Sequence, residues 1–277
     1  GYEGGGSGTL RVTAVQWMDN VMELKLAIGR DDGSICIHNL REDSDAVILR
    51  DHDSAVTSMR WTDNAKYFVS AGRDAVLNLW ELGTVQRSKR TVTTYTNVFT
   101  LPVYEEIEGM VLRTEDDSLH VYLAGSKGCV RCWKANLLVD RPKLEFLKSQ
   151  PDTNTDEIRG CTNLSACVIS HSLIVTDTEF NLTYLSMLHL EVERSFIGKN
   201  DHILDVKAVP TNTANSPRVV VITNSPQVRM FDTSDLSCEL LHGHSAMVLS
   251  VDVSPCGSLI STCGKDKCIR VWCAITK

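Results

Sequence analysis

The sequence predicts an all-β fold built from repeated small sheets. A segment that begins Val-Thr-Ala-Val-Gln-Trp at Val12 recurs as Val-Thr-Ser-Met-Arg-Trp from Val56 onward, and a more divergent copy starts at Val248. Each copy alternates apolar and polar residues and ends in a polar turn, which is the pattern of a half-buried strand. The apolar spacing of three and four residues that a helical repeat would need is absent.

The spacing of the repeats indicates a β-propeller whose blades are four-stranded sheets. The third strands are predicted to end at positions 41 to 53 residues apart, at His38, Trp80, Trp133, Leu185, Phe231 and Trp272. A period of this size, with short strands and Gly/Asp turns, is typical of propeller blades. We expect a single domain over residues 1–277 with about six blades, at approximately 9–50, 51–96, 97–148, 149–196, 197–241 and 242–277.

The fourth, outer strand of each blade can be assigned in five cases, near residues 47–50, 90–95, 144–147, 192–196 and 239–241. The residues from Tyr95 to Glu108 are predicted to form a long connection. After Trp272 only five residues remain, and the glycine run 4–6 is a poor candidate for a closing strand because glycine weakens strands. The chain starts at Gly1 without an initiator methionine, so we expect a piece of a longer protein and an incomplete part of a seven-bladed ring.

Composition excludes several classes of function. The chain carries 28 basic and 35 acidic residues, a net charge of −7, which argues against a protein that coats nucleic acid through phosphate contacts. Arg87-Ser-Lys-Arg90 is the only dense basic run; we interpret it as a solvated turn, with a contact to RNA phosphate as the alternative. Apolar runs reach only four or five residues, so no membrane span is predicted. The segment around the single C-x-x-C, from Gly128 to Trp133, is predicted to be a strand, which would place Cys129 and Cys132 on opposite faces. The motif also lacks a partner pair and is interpreted as structural, so no metal or other cofactor is expected.

Two repeats share a polar set with identical spacing. The members are separated by 18, 4 and 6 residues in both copies, which comprise His52, Ser70, Asp74 and Trp80, and His244, Thr262, Asp266 and Trp272. A histidine, a hydroxyl and a carboxylate suggest a catalytic triad. The set, however, occurs twice and ends in tryptophan, whose indole donates one hydrogen bond and cannot act as a nucleophile. We therefore predict a structural role and no enzyme activity.

These residues resemble the WD-repeat family. The resemblance implies that in each such blade the histidine, the hydroxyl, the turn aspartate and the tryptophan form one hydrogen-bonded chain. The first blade departs from the pattern, with Ile28 in the hydroxyl position and His38 in place of tryptophan. The third and fifth blades also carry apolar residues in the hydroxyl position, Leu123 and Val221, and we expect these blades to be held together by packing alone.

Within this family the chain resembles the tandem-propeller subunits of the small-subunit processome. The likeness is carried mainly by residues 190–277, above all by the turn at Asn224-Ser225-Pro226. It implies a scaffold without an active site or cofactor, located in the nucleus and nucleolus and not in a membrane. The implied partners are other WD-repeat processome proteins, the small nucleolar ribonucleoprotein and pre-ribosomal RNA, contacted directly or through other proteins. The implied role is support of ribosomal RNA processing and small-subunit assembly.

The resemblance also implies where partners bind. In WD propellers the rim of the narrow face is formed by the residue before the turn aspartate and by residues at the start of the innermost strand. The corresponding candidate rim residues are Asp31, Thr57, Arg73, Met247, Leu249 and Lys265. Exposed apolar residues beside charged ones are typical of an interface core with a polar rim; the alternative is an ordinary surface without a dedicated partner.

Two other classes of function stay open. A generic WD-repeat scaffold would carry the same repeats. A substrate adaptor of a ubiquitin ligase would be expected to carry Asp-x-Arg after a blade tryptophan, whereas Trp80 is followed by Glu-Leu-Gly and Trp272 by Cys-Ala-Ile.

Overall fold

The computed structural model describes residues 10–19, 24–41, 46–87, 90–151, 160–167, 171–196, 201–210 and 218–274. All secondary-structure elements in these ranges are β-strands, which confirms the predicted all-β class. No helix in the described ranges is long and apolar enough to cross a membrane. The predicted closing segment at the glycine run 4–6 lies outside the described residues.

The strands follow one another in six successive sheets, in which each strand pairs with the next one in the chain. The first three sheets consist of β1 Val12–Asp19, β2 Leu24–Arg30, β3 Ile35–Asn39 and β4 Val47–Leu49; β5 Val56–Trp61, β6 Tyr67–Gly72, β7 Val76–Arg87 and β8 Arg90–Pro102; and β9 Ile107–Glu115, β10 Ser118–Gly125, β11 Arg131–Asn136 and β12 Glu145–Ser149. The other three consist of β13 Cys161–Cys167, β14 Ser172–Asp177, β15 Leu182–Ser186 and β16 Val192–Phe196; β17 Ile203–Val209, β18 Arg218–Thr223, β19 Val228–Asp232 and β20 Cys238–Leu241; and β21 Val248–Val253, β22 Leu259–Gly264 and β23 Ile269–Cys273. We call these sheets blades one to six.

The first strand of a blade carries a one-residue irregularity at a fixed place. In five blades the pairing register skips the second residue of the strand, and the skipped residues are Thr13, Thr57, Thr162, Leu204 and Leu249. A skipped residue of this kind is a β-bulge, which redirects the side chain away from the regular ladder. The bulge therefore presents one side chain of each of these five blades at the beginning of its first strand.

Tertiary contacts divide the chain into two compact units, Gly1–Tyr122 with Trp133–Leu147, and Leu123–Cys132 with Lys148–Lys277. In the first unit an apolar cluster that includes Ile35, Val56 and Phe68 packs blade one against blade two. In the second unit a cluster around Val220, Val248 and Ile260 packs blade five against blade six. Both clusters follow from the alternation of the strands, because every second side chain points toward the neighbouring blade.

The structure corrects two local predictions. The expected connection from Tyr95 to Glu108 is wrong: β8 continues to Pro102 and pairs with β7 along a long hairpin, whose facing residues run from Val76↔Pro102 to Arg87↔Arg90. Cys129 and Cys132 do not share a strand as expected, because β11 begins at Arg131.

Candidate functional site

The polar set of blade two forms a continuous chain of hydrogen bonds. His52 Nδ1 lies 2.8 Å from Asp74 Oδ2, and His52 Nε2 lies 2.8 Å from Ser70 Oγ. Trp80 Nε1 donates to the same Ser70 oxygen at 3.0 Å. When Nδ1–H donates to the carboxylate, Nε2 accepts from the Ser70 hydroxyl, so the four side chains satisfy one another. His52, Ser70 and Trp80 are all buried, so none of their polar atoms depends on water.

Blade six repeats this geometry. His244 Nδ1 lies 2.8 Å from Asp266 Oδ2 and its Nε2 lies 2.8 Å from Thr262 Oγ1, which accepts from Trp272 Nε1 at 2.9 Å. Gly243 makes room for the indole, because a Cβ on this residue would lie 2.7 Å from the Trp272 ring. Trp272 is half-buried, whereas its counterpart in blade two is buried.

The two aspartates are held as carboxylates. Burial would raise the pKa of Asp74, but the hydrogen bond from His52, the attraction of that ring and the amides of Asp53 and Val76 lower it below its ordinary value. For Asp266, desolvation likewise opposes the hydrogen bonds, and the His244 contact is the largest of the effects that lower its pKa. Each carboxylate also accepts a backbone amide of the loop entering the blade, from Asp53 or from Ser245, at 3.1 Å. The chain of hydrogen bonds therefore fastens the entering loop to the turn.

This arrangement of side chains stabilises the blades and is not suited to catalysis. Ser70 is fully buried and Thr262 is 2% exposed, so neither hydroxyl can reach a substrate. Each hydroxyl already donates to histidine and accepts from tryptophan. No group of three or more His, Cys, Asp or Glu side chains suited to a metal ion occurs in the part of the chain that the structure describes.

In blades one and five, which lack the full set, an apolar side chain occupies the hydroxyl position. The register of blade six pairs Ile260 with Trp272, and the matching pairs are Leu26 with His38 in blade one and Val219 with Phe231 in blade five. The hydroxyl position two residues after the first member of each pair is therefore Ile28 in blade one and Val221 in blade five, as the sequence indicates. In blade one the carboxylate of Asp32 accepts a hydrogen bond from the Ser34 hydroxyl of the same turn, at 2.6 Å.

A cavity of about 570 Å³ lies between blades four and five, where the hydrogen-bonded chain is missing. Its walls include Phe180 and Phe196 of blade four and Val221 and Phe231 of blade five. Val221 and Phe231 stand where blade six has a threonine and a tryptophan, and the phenylalanine ring is smaller than an indole.

Three of the candidate rim residues lie in the first compact unit, and each is engaged within the protein. Asp31 accepts from the backbone amide of Arg11 at 3.0 Å. The hydroxyl of Thr57, the bulge residue of blade two, donates to the carbonyl of Ile107 at 2.6 Å and so links two blades. Arg73 makes a two-pronged ion pair with Glu108, with N···O distances of 2.9 and 3.2 Å.

The other three lie in the second unit and form a more accessible group. Leu249, the bulge residue of blade six, is 44% exposed and Lys265 is exposed, whereas Met247 is half-buried instead of exposed as expected. The amide of Lys265 donates to the carbonyl of Met247 at 2.8 Å, so the turn and the first strand of the blade are joined here. Leu204, the bulge residue of blade five, is 38% exposed and was not identified from the sequence. We call Leu204, Met247, Leu249 and Lys265 the apolar rim patch.

A buried carboxylate that sequence analysis missed links three blades. Asp205 is 8% exposed and accepts from Asn163 of blade four at 3.0 Å, and from the Ser250 hydroxyl and the Val251 amide of blade six at 2.8 and 2.9 Å. It also accepts its neighbouring Val206 amide at 2.9 Å. The sequence signal is a polar residue two positions after the start of three successive first strands.

Comparisons with known proteins agree with these repeats. Residues 45–81 and 236–273 match the family described as WD domain, G-beta repeat. These ranges include in full both hydrogen-bonded sets of four residues, which we call tetrads and which run from His52 to Trp80 and from His244 to Trp272. The chain is 30% identical over 253 residues to transducin beta-like protein 3 of Rattus norvegicus, which covers 87% of this chain and 29% of the relative. It is 25% identical over 249 residues to U3 small nucleolar RNA-associated protein 13 of Saccharomyces cerevisiae, over 81% of this chain and 28% of that one.

The chain thus spans less than a third of the length of these relatives. Among solved structures, a chain in the crystal structure of the mitotic checkpoint complex superposes with a TM-score of 0.67 at 16% identity, over 96% of this chain and 75% of that one, which supports the fold alone. Two matched repeats, six successive sheets and the duplicated hydrogen-bonded chain agree with one another. The chain therefore contains WD40 repeats among six β-propeller blades, and it is similar over most of its length to transducin beta-like protein 3.

Proposed function

We propose that the chain is a non-catalytic interaction scaffold of the nucleolar small-subunit processome, where it supports processing of pre-ribosomal RNA and assembly of the small ribosomal subunit. The observation that carries the proposal is the similarity over more than four fifths of the chain to two relatives, one of which is named for association with the U3 small nucleolar RNA. The family that the repeats match is a scaffold family, and no catalytic family is indicated.

The buried state of the histidine sets supports a scaffold. Their hydroxyls and carboxylates form hydrogen bonds within blades two and six, so the surfaces of these blades remain available for contacts with partners. The proposed partners are other WD-repeat proteins of the processome, with the small nucleolar ribonucleoprotein and pre-ribosomal RNA in the same assembly. The proposed location is the nucleolus.

The apolar rim patch is the proposed protein-binding surface. Leu204 and Leu249 occupy the same bulge position in neighbouring first strands, which Asp205 joins through its bond to the Val251 amide. In blades one, two and four the bulge residue is a threonine, and the hydroxyl of each of these threonines is hydrogen-bonded, at Thr13, Thr57 and Thr162. Two exposed leucines beside an exposed lysine have the composition of an interface core with a charged edge.

The test is co-purification of the tagged full-length protein from cells, with processome proteins, U3 RNA and unprocessed small-subunit RNA as readouts. We expect all three to be enriched, and the variant Met247→Asp/Leu249→Asp to lose the proteins by about tenfold or more, since interface anchors cost at least about 2 kcal/mol. Leu138→Asp/Leu188→Asp is the matched control, because both leucines are exposed outside the patch. Enrichment of none of the three would refute the assignment, and equal losses in both variants would refute the proposed surface.

A further inference from the structure

The cavity between blades four and five has an apolar interior. Leu182 and Phe196 of blade four and Val219 and Phe231 of blade five line it, and all four are part of, or packed against, one apolar cluster between the two blades. Leu182 and Val219 are buried, whereas the two phenylalanine rings are half-buried. The volume of about 570 Å³ lies within the range of ligand pockets, about 300–1,000 Å³. The cavity is therefore large enough for a ligand and is bounded by packed side chains.

Two contacts between the blades border this cavity. The ring centre of Phe180, in a turn of blade four, lies 4.1 Å from that of His202, which precedes the first strand of blade five. Arg194 of blade four donates through Nη1 to the carbonyl of Thr233 in blade five at 2.6 Å. Phe180 and Thr233 both line the cavity. The two blades are therefore joined directly beside the cavity and do not simply lie apart there.

The next pair of blades is joined in the same way. Arg218 of blade five donates through Nη2 to the carbonyl of Ala274 in blade six at 2.6 Å. Ala274 and Thr233 are equivalent, because each directly follows the third strand of its blade. Since the contact has the same length in both pairs, a wider separation of the blades does not explain the cavity. The side chains account for it, because Phe231 stands where blade six has the larger Trp272.

The polar part of the lining carries a net negative charge. Asp201 and Arg229 line the cavity and form an ion pair with an N···O distance of 2.6 Å. Arg229 also donates through Nη1 to Thr223 Oγ1 at 3.3 Å. Asp232 is the other charged residue in the described part of the lining. One guanidinium is thus set against two carboxylates, and it is already paired.

The surface around the cavity is acidic as well. Residues 171–241, which include strands β14 to β20, contain nine acidic and five basic side chains. The outer strands β16 and β20 each contribute a residue to the lining, and they contain or adjoin four exposed acidic residues, Glu191, Glu193, Asp235 and Glu239. Opposite charges speed the encounter of two partners, whereas like charges oppose it. The surroundings of the cavity therefore favour a basic partner.

We propose that the cavity between blades four and five binds an aromatic side chain of a partner protein, carried by a segment whose flanking residues are lysine or arginine. The choice of a protein segment over a small aromatic molecule rests on the proposed scaffold function. Aromatic side chains that fill a pocket are the usual anchors of protein interfaces, and they pack well against phenylalanine rings. The lysine or arginine side chains beside the anchor would contact the acidic surface.

The experiment measures binding of a fluorescein-labelled Lys-Lys-Trp-Lys-Lys peptide to the purified chain by fluorescence anisotropy. Two matched peptides carry alanine in place of the tryptophan, or glutamate in place of the lysines. Each should bind at least about tenfold more weakly, because one lacks the anchor and the other is repelled by the acidic surface. Equal affinity for either matched peptide would overturn the inference.

Two substitutions that fill the cavity test where the peptide binds. Cys238 is exposed and lines the cavity, and the buried Val221 lines it as well. Cys238→Trp and Val221→Phe should each weaken binding of the tryptophan peptide at least about tenfold. Cys268→Trp is the matched control, because Cys268 is exposed in a turn of blade six, and it should leave binding unchanged. Undiminished binding by Cys238→Trp, or an equal loss in the control, would refute the site.

Stability distinguishes a filled cavity from a damaged fold. A ring placed in empty space should leave the midpoint of urea denaturation of Val221→Phe unchanged or raised, whereas overpacking would lower it. A lowered midpoint would show that the space is not available to a ring and would overturn the inference. Co-purification of processome proteins without peptide binding would refute this site alone, and peptide binding without co-purification would refute the proposed function alone.

Discussion

Replacing Thr262 by valine tests the hydrogen-bonded chain of blade six at its central member. Valine keeps the shape of threonine, so the main loss is the hydroxyl that donates to His244 Nε2 and accepts from Trp272 Nε1. The His244 ring is buried, and a buried polar atom left without a partner costs about 1–3 kcal/mol. The Trp272 indole is half-buried and can turn to water, so its loss adds at most about 1 kcal/mol. We expect a decrease in the free energy of unfolding of about 2–3 kcal/mol.

The assay is urea denaturation followed by tryptophan fluorescence, with hydrogen exchange of β22 and β23 to localise the effect. Thr262→Ser is the control, because it keeps the hydroxyl and loses only a methyl group, at a cost of about 1 kcal/mol. Trp272→Phe should cost less in the valine variant than in the wild type, since its hydrogen bond is already absent. If the valine variant is as stable as the wild type, or if the two substitutions are additive, the chain of hydrogen bonds does not hold the blade as argued.

Two further predictions concern buried carboxylates. The pKa of Asp74 is lowered from 3.8, so its charged form stabilises the fold above about pH 4 and this contribution is lost as pH falls through the lowered value. The stability difference between wild type and Asp74→Asn, measured by denaturation across pH, should therefore narrow below about pH 4; a constant difference contradicts this. Asp205→Asn places amide hydrogens against the donors of Ser250 or Val251 and should lower the free energy of unfolding by about 2 kcal/mol or more, whereas Asp63→Asn, in an exposed turn, should change it by under about 0.5 kcal/mol.

The members of each tetrad could be identified from the sequence because their contacts are local. His52 and Asp74 are 22 residues apart, as are His244 and Asp266, and all of these contacts lie within one blade and its entering loop. A blade brings the same positions together each time it is repeated, so equal spacing in two copies predicts equal geometry. Apolar replacement at Ile28 and Val221 could be identified for the same reason, since the strand register fixes which position takes the hydroxyl.

Contacts between blades could not be derived in this way. Asp205 bonds to residues 42 to 46 positions away in two other blades, and no spacing within a repeat indicates such a set. The outer strand of blade two was predicted only for residues 90–95, and the residues from Tyr95 onward were predicted to form a connection. The strand β8 continues to Pro102 because β7 offers it a ladder of backbone bonds over that length.

The sequence by itself determined the class of fold, the six repeats and the buried polar sets, because alternation and equal spacing are properties of each blade alone. Only the tertiary structure decided which surface residues are available. In the folded protein, Thr57 and Arg73 contact the next blade. Met247 is half-buried, whereas Leu204 and Leu249 are exposed. Exposure depends on which neighbouring side chain fills the space between two blades, and that is settled by packing rather than by the pattern of either blade.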